Sequence, residues 1–191
     1  MGDSNSGEAT PSAGSGFCIW FTGLPASGKS TTAQGVAERL KVLGVGVDLL
    51  DGDSLRNTVS QGIGFSRAGR DKHIRRVGSL AAEGVKNGRV VVCATISPYR
   101  SIREECRSLI GPDRFVEVFM DTPVEVCERR DPKGLYARAR RGEILNFTGV
   151  SDPYEPPETP ELSLDTVHSS IERNVDRIVS RLVHRKLVPW R

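Results

Sequence analysis

The sequence predicts an α/β fold: a parallel five-stranded sheet with helices on both faces and a mobile lid over one end. Three observations predict it. Short apolar, β-branched runs alternate with longer segments of helical period, the pattern of strand–helix–strand crossovers. The loop between the first run and the first helix reads Gly23-Leu24-Pro25-Ala26-Ser27-Gly28-Lys29-Ser30, which fits G-x-x-x-x-G-K-[ST] at every fixed position. Polar motifs then follow the later runs, at the strand ends where ligands collect on such sheets.

Taken in order, residues 1–16 are rich in Gly, Ser and Ala and read as a disordered tail. The rest, 17–191, reads as one domain. Phe17–Thr22 is apolar on both faces and therefore a central strand. A helix is expected over 29–43, with Val36, Leu40 and Leu43 at helical spacing. A second strand over 47–50 delivers Asp51-Gly52-Asp53, and 54–64 is short and polar. A basic amphipathic helix covers 70–86, with Ile74, Val77, Leu80 and Val85 on or near one face. The third strand is Val90–Ala94, running into Thr95-Ile96-Ser97-Pro98-Tyr99. A helix over 101–110 and a strand over 115–120 follow, and Asp121-Thr122-Pro123 starts the next helix. Residues 130–157 have little apolar period and much Arg and Gly, which suits an active-site lid. Residues 162–164 give a fifth strand. The last helix carries Ile171, Val175, Ile178, Val179, Leu182 and Val183 on one stripe, with Ser169 and Glu172 as its capping box.

Composition excludes several classes. With 37% hydrophobic and 27% charged residues the chain has the make-up of a soluble globular protein. A net charge of +3 is too slight to argue for a nucleic-acid partner, and no apolar run approaches the ~18 residues of a membrane span. The four cysteines have neither C-x-x-C nor zinc spacing. Cys18 and Cys93 fall inside apolar runs and read as buried thiols, and the set suits a reducing, cytoplasmic setting.

The loop has a definite chemistry. Gly23 and Gly28 allow backbone angles that a Cβ would block, so the chain can close around phosphate. The amides of Ala26 to Ser30 meet a helix N-terminus, whose dipole favours anions. Pro25 lacks an N–H and belongs on the rim. Lys29 is expected to reach the β- and γ-phosphates, and Ser30 to hold Mg²⁺. ATP is therefore expected along Gly23, Leu24, Pro25, Ala26, Ser27, Gly28, Lys29, Ser30 and Thr31.

The other motifs select a kinase. There is no base-reading N-K-x-D, and the Val90–Ala94 strand does not end in an acid. Asp51 and Asp53 are the strand-end carboxylates; such an acid can orient metal-bound water or accept the proton of an attacking hydroxyl. An Asp-Gly turn with solvated acids is the plainer alternative. Arg56, Phe65, Arg70 and the Arg75-Arg76 pair follow closely. Arginine forks suit phosphate or sulfate and Phe65 can stack on a base, so the cluster reads as an anionic acceptor site beside the triphosphate.

From Phe17 almost to the C-terminus the chain resembles the adenylyl-sulfate kinase family. The residues carrying the resemblance are the phosphate loop through Thr31, Asp51-Gly52-Asp53, Gly64-Phe65-Ser66, Arg70 with Ile74-Arg75-Arg76, and Ile96-Ser97-Pro98-Tyr99. They continue with Asp131-Pro132-Lys133-Gly134-Leu135-Tyr136, Gly142-Glu143-Ile144, Phe147-Thr148-Gly149 and Asp152-Pro153-Tyr154-Glu155. The resemblance implies transfer of the ATP γ-phosphate to the 3′-hydroxyl of adenylyl sulfate, a step of sulfate assimilation, by a homodimer. It implies that Asp51 places Mg²⁺ and the 3′-hydroxyl, and that Asp53, Arg56 and Arg70 hold the sulfonucleotide. Phe65 and Phe147 would sandwich its adenine, with Ile96, Ser97 and Lys133 lining the same site. Ser97 would be either a phosphoserine intermediate or a structural residue.

Three positions depart from the family pattern, all on the acceptor side: Ser54 stands for Asn, Gly69 for Asp and His73 for Asn. From the Asn position His73 is expected to contact the acceptor, with a pKa raised by the anion. Two other readings stay open: a related kinase of another nucleotide-like anion, and a nucleotide-binding regulatory subunit without catalysis.

Overall fold

The computed structural model describes residues 16–189. The strands are β1 (Phe17–Thr22), β2 (Val47–Asp51), β3 (Val90–Ala94), β4 (Phe115–Asp121) and β5 (Leu162–Asp165). They form one parallel sheet in the order β2-β3-β1-β4-β5. The helices are α1 (Lys29–Val42), α2 (Gly52–Asn57), α3 (Arg67–Lys86), α4 (Arg100–Ile110), α5 (Val124–Arg130), α6 (Leu135–Arg140) and α7 (Ile171–His184).

β1 is central and every one of its residues is buried. Its side chains alternate between two cores, as the period of 2 requires. Phe17, Ile19 and Phe21 pack with Val36 and Leu40 of α1 and Ile178 and Leu182 of α7. Cys18 and Trp20 face the other way, against Ile74 and Val77 of α3 and Ile102 of α4. Helices on both faces are what hold a fully apolar strand at the centre. All four cysteines are free and buried. Among the described residues no helix is long and apolar enough to cross a membrane.

Several boundaries differ from the sequence expectation. The tail falls on residues 1–15, outside the described residues, while Gly16 is already buried against Val85 and Arg89. The stretch expected to be a short polar connection opens as α2, because the Asp51 carboxylate accepts the Asp53 and Ser54 N–H groups at 3.1 Å and caps it. α3 begins at Arg67, ahead of its apolar stripe, since Ser66 accepts the Gly69 N–H at 3.2 Å. α7 is capped by Ser170, which accepts the Arg173 N–H; the Ser169–Glu172 capping box is displaced by one residue and its reciprocal bond does not form. The 130–157 segment contains α6 and a small core of its own, in which Tyr136, Ala139 and Phe147 pack with Cys127 and Leu24.

Candidate active site

A cavity of about 1130 Å³ opens at the carboxyl ends of β1, β2 and β3, between the phosphate loop and the 130–148 segment. Its volume lies just above the roughly 300–1000 Å³ usual for one small-ligand pocket.

The phosphate loop is wound tightly. Gly23, Ala26 and Gly28 have φ of 150°, 61° and 93°, and a Cβ at Gly23 would meet the Ser27 hydroxyl at 2.9 Å. Gly28 caps α1 without a side chain, which leaves the helix N–H groups facing the cavity. Lys29 folds back into its own loop. Its ammonium donates to the Gly23 and Leu24 carbonyls at 3.0 and 2.6 Å and to the Ser27 hydroxyl at 3.3 Å. Burial lowers its pKa to about 8, with Cys127, Asp53 and Asp51 acting against that shift. Pro25, Ala26, Gly28, Lys29, Ser30 and Thr31 line the cavity, whereas Gly23, Leu24 and Ser27 lie behind it. Leu24 joins the small core under the lid, and the Tyr136 hydroxyl donates to the Pro25 carbonyl at 3.1 Å. The lid thus rests on the rim of the loop.

Asp51 joins the two sides. One carboxylate oxygen caps α2, and the other accepts the Ser30 hydroxyl at 2.9 Å. Both groups are hard oxygen donors of the kind that bind Mg²⁺ with phosphate oxygens and water completing the shell. Among the described residues no group of three or more His, Cys, Asp or Glu side chains is placed to hold a metal ion.

The acceptor side is basic and aromatic. Arg56 lies over the Phe65 ring at 4.6 Å, and its Nη1 donates to the Ile63 carbonyl at 3.3 Å. Arg70 is buried; it donates to the Phe65 carbonyl at 3.0 Å and to the Asn146 carbonyl, and its Nε lies 3.5 Å from Asp152. Asp53 and Lys133 pair at 2.5 Å across the mouth, which raises the Lys133 pKa. Phe65 is 54% exposed, while Phe147 is buried edge-on to Tyr136 at 5.0 Å between ring centres. Ile96 and Ser97 line the floor. Ser97 is fully buried at φ 38°, and its hydroxyl accepts the Trp20 indole N–H at 3.1 Å.

His73 lines the cavity as expected, and in the free protein its ring is buried. It is 3% exposed, its Nδ1 lies 2.8 Å from the Ser60 hydroxyl, and a backbone hydrogen bond at Gly52 holds the ring. Burial lowers its pKa to about 4; Arg56 and Arg76 add to that and Asp53 opposes it. The ring is neutral in the free protein, while the expected rise belongs to the state with the acceptor anion bound. Gly69 also has a structural reason, because a Cβ there would meet the Gly64 carbonyl at 2.4 Å.

Sequence reasoning missed Asp152, which accepts the Tyr99 O–H at 2.7 Å while facing Arg70. It stood inside a motif that had been singled out, but nothing there revealed its partners. It also missed Arg130 and Asn174, which line the cavity opposite the acceptor side. Neither carries a local signal.

A phosphate loop at the end of the central strand of a parallel sheet, facing a basic cleft, defines a P-loop kinase. Within that class the chain belongs to the adenylylsulphate kinase family, whose model matches residues 15–165. It is 49% identical over 167 residues to the adenylyl-sulfate kinase of Synechococcus sp. (strain JA-3-3Ab), covering 87% of this chain and 94% of that one. The Mycobacterium tuberculosis APS kinase CysC, solved in complex with AMPPNP and APS, superposes with a TM-score of 0.84 at 42% identity, over 88% of this chain and 98% of that one. A gluconokinase from Sinorhizobium meliloti 1021 shares the fold at a TM-score of 0.60 and 20% identity, covering 90% of this chain and 94% of that one.

Buried neutral His73 has a stability consequence. Its folded pKa is depressed, so the unfolded chain binds the extra proton between about pH 6.5 and 4. Its contribution is complete above pH 6.5 and is lost as the pH falls toward 4. His73→Asn should remove about 1–3 kcal/mol of that acid sensitivity, read as the difference between the two proteins in urea melts at pH 7 and pH 4.5. Parallel pH dependences would show that the ring is protonated without cost.

Proposed function

We propose that the chain is an ATP-dependent adenylyl-sulfate kinase, transferring the ATP γ-phosphate to the 3′-hydroxyl of adenosine 5′-phosphosulfate. The observation that carries this reading is the single cavity, with a phosphate loop on one wall and Arg56, Arg70 and Phe65 on the other. A donor triphosphate and an anionic nucleotide can meet there. The family relatives named for this activity, and the related structure holding a nucleotide analogue with APS, support the same acceptor.

In this reading the loop amides and Lys29 take the β- and γ-phosphates, and Lys29 exchanges its carbonyl partners for phosphate oxygens. Ser30 and Asp51 would hold Mg²⁺, which supplies charge neutralisation on the transferring phosphoryl. The Asp51 oxygen that accepts the Ser30 hydroxyl in the free protein would turn to the 3′-hydroxyl, orient it and accept its proton. Arg56 and Arg70 grip the phosphosulfate, Asp53 and Lys133 border it, and Phe65 and Phe147 flank the adenine. His73 contributes as a neutral ring. We assign Ser97 a positioning role, since its buried hydroxyl already accepts the Trp20 N–H, and transfer is direct. Homodimer formation in the cytoplasm is part of the same reading; light scattering at the mass of one chain would contradict the dimer.

The departures at Ser54, Gly69 and His73 make a panel of acceptors the decisive assay. With ATP, adenylyl sulfate should be used at least about a hundredfold more efficiently than AMP or CMP, since a site built to grip the phosphosulfate is left unpaired by them. Preference for AMP or CMP would move the assignment to a kinase of another nucleotide-like anion. Asp51→Asn should lower turnover by about two orders of magnitude or more while ATP affinity changes little, and the fold should hold because Asn also caps α2. Retained turnover with lost thermal stability would make Asp51 a turn residue only.

A further inference from the structure

We propose that Arg103 is the positioning residue of the acceptor site, fixing the turn after β3 and joining it to the chain that leaves the lid. This rests on the function above. Arg103 lies on α4, outside the cavity, and is 2% exposed. Its guanidinium makes three bonds to three separate pieces of chain. Nε donates to the Glu117 carboxylate of β4 at 2.8 Å, Nη1 to the Ser97 carbonyl at 2.7 Å, and Nη2 to the Glu155 carbonyl at 2.7 Å. The guanidinium spreads its donors over three nitrogens in a rigid fork, whereas an ammonium's three donors radiate from one nitrogen.

Ser97 needs such a tether. A φ of 38° is rarely adopted by a residue with a side chain, and it persists only where surrounding contacts over-determine it. Trp20 holds the Ser97 hydroxyl, and Arg103 holds its carbonyl. The neighbouring Ile96 carbonyl accepts the Thr22 hydroxyl at 2.8 Å. That hydroxyl has one proton, so it in turn accepts the Tyr154 O–H at 2.9 Å. Tyr154 lies under the Arg103 guanidinium, 5.8 Å from ring centre to charge.

The same residues dock the end of the lid segment. The Glu155 N–H donates to the Pro98 carbonyl at 2.8 Å, and the Glu155 carboxylate accepts the Arg100 N–H at 2.8 Å. Asp152 accepts the Tyr99 O–H and faces Arg70. Residues 152–155 and 97–100 are therefore stitched together, with Arg103, among the described residues, as the one side chain that bonds both backbones. A displaced guanidinium would move the floor of the acceptor site and the anchor of the lid together, and leave the phosphate loop untouched.

Stability alone does not explain the arrangement. Buried ion pairs are often replaced by apolar residues without loss, so the Arg103–Glu117 pair is not required to hold α4 on β4. What an apolar pair cannot supply is the two bonds to Ser97 and Glu155. Glu117 is shared with Arg107, which keeps Glu161 as a second partner at 2.7 Å, so removing Glu117 leaves Arg107 paired.

Two variants separate positioning from stability: Arg103→Lys, and the pair Arg103→Met with Glu117→Met. In steady-state assays both should raise the KM for adenylyl sulfate by about tenfold or more, while the KM for ATP stays within about twofold, because only one substrate's site has shifted. The methionine pair should melt within a few degrees of the parent and still show the raised acceptor KM. An unchanged acceptor KM in either folded variant would overturn the proposal. So would both KM values rising in step with a fall in melting temperature, or failure of both variants to fold, which would make Arg103 a residue of the fold alone. If the parent protein does not use adenylyl sulfate, the functional reading fails first, and the parent control reveals that.

Discussion

The whole arrangement depends on one constraint: a triphosphate has to be met, out of bulk water, by unpaired donors held in advance. The protein meets it with the loop after β1, where positive φ values turn successive amides inward and α1 begins without a side-chain cap. The cost is visible in Lys29. Its ammonium is buried, bonded to carbonyls that would otherwise crowd the loop, and depressed to about pKa 8. Such a loop needs a rigid base, and the fully buried β1 between two cores provides one.

Charge is distributed to match. Arg56, Arg70 and Lys133 line the cavity together with Asp51 and Asp53, of which Asp51 bonds Ser30 of α1 and Asp53 pairs with Lys133. Asp51 serves two neighbours at once, one oxygen capping α2 and the other bonded to Ser30 of α1, which fixes the carboxylate where β2 meets α1. The acceptor-side arginines are held before any ligand arrives, Arg56 against Phe65 and Arg70 against backbone carbonyls. Preorganised donors of this kind act on charge without reorganising during the reaction.

Much of the fold was legible because its strands are buried and its helices striped. β1 and β3 were read at their correct bounds, since apolar runs between glycines and polar motifs leave little choice. α2 and the first turn of α3 were not, because each is nucleated by one capping side chain rather than by a hydrophobic pattern. The cavity brings together the phosphate loop, Asp51 and Arg70, far apart in the chain, whose types suggested phosphate, metal and anion chemistry, with Phe147, whose role the family resemblance implied. For His73 the sequence suggested a titrating contact with the acceptor anion, and only the tertiary setting, with Ser60 and Arg56 beside it, reveals a neutral buried ring in the free protein. Arg103 carried no signal at all: its partners lie on β4, after β3 and beyond the lid, and an arginine on a polar helix looks solvated.

The central claim is that donor and acceptor meet in one cavity and exchange the phosphoryl directly, with Ser97 holding the floor rather than carrying the group. The most direct test is stereochemical. With a donor made chiral at the γ-phosphorus by sulfur and oxygen isotopes, one in-line displacement inverts configuration and two displacements restore it. Inversion at phosphorus in the 3′-phosphorylated product is the expected result; retention would mean that a protein side chain carries the phosphoryl in transit and would contradict the account.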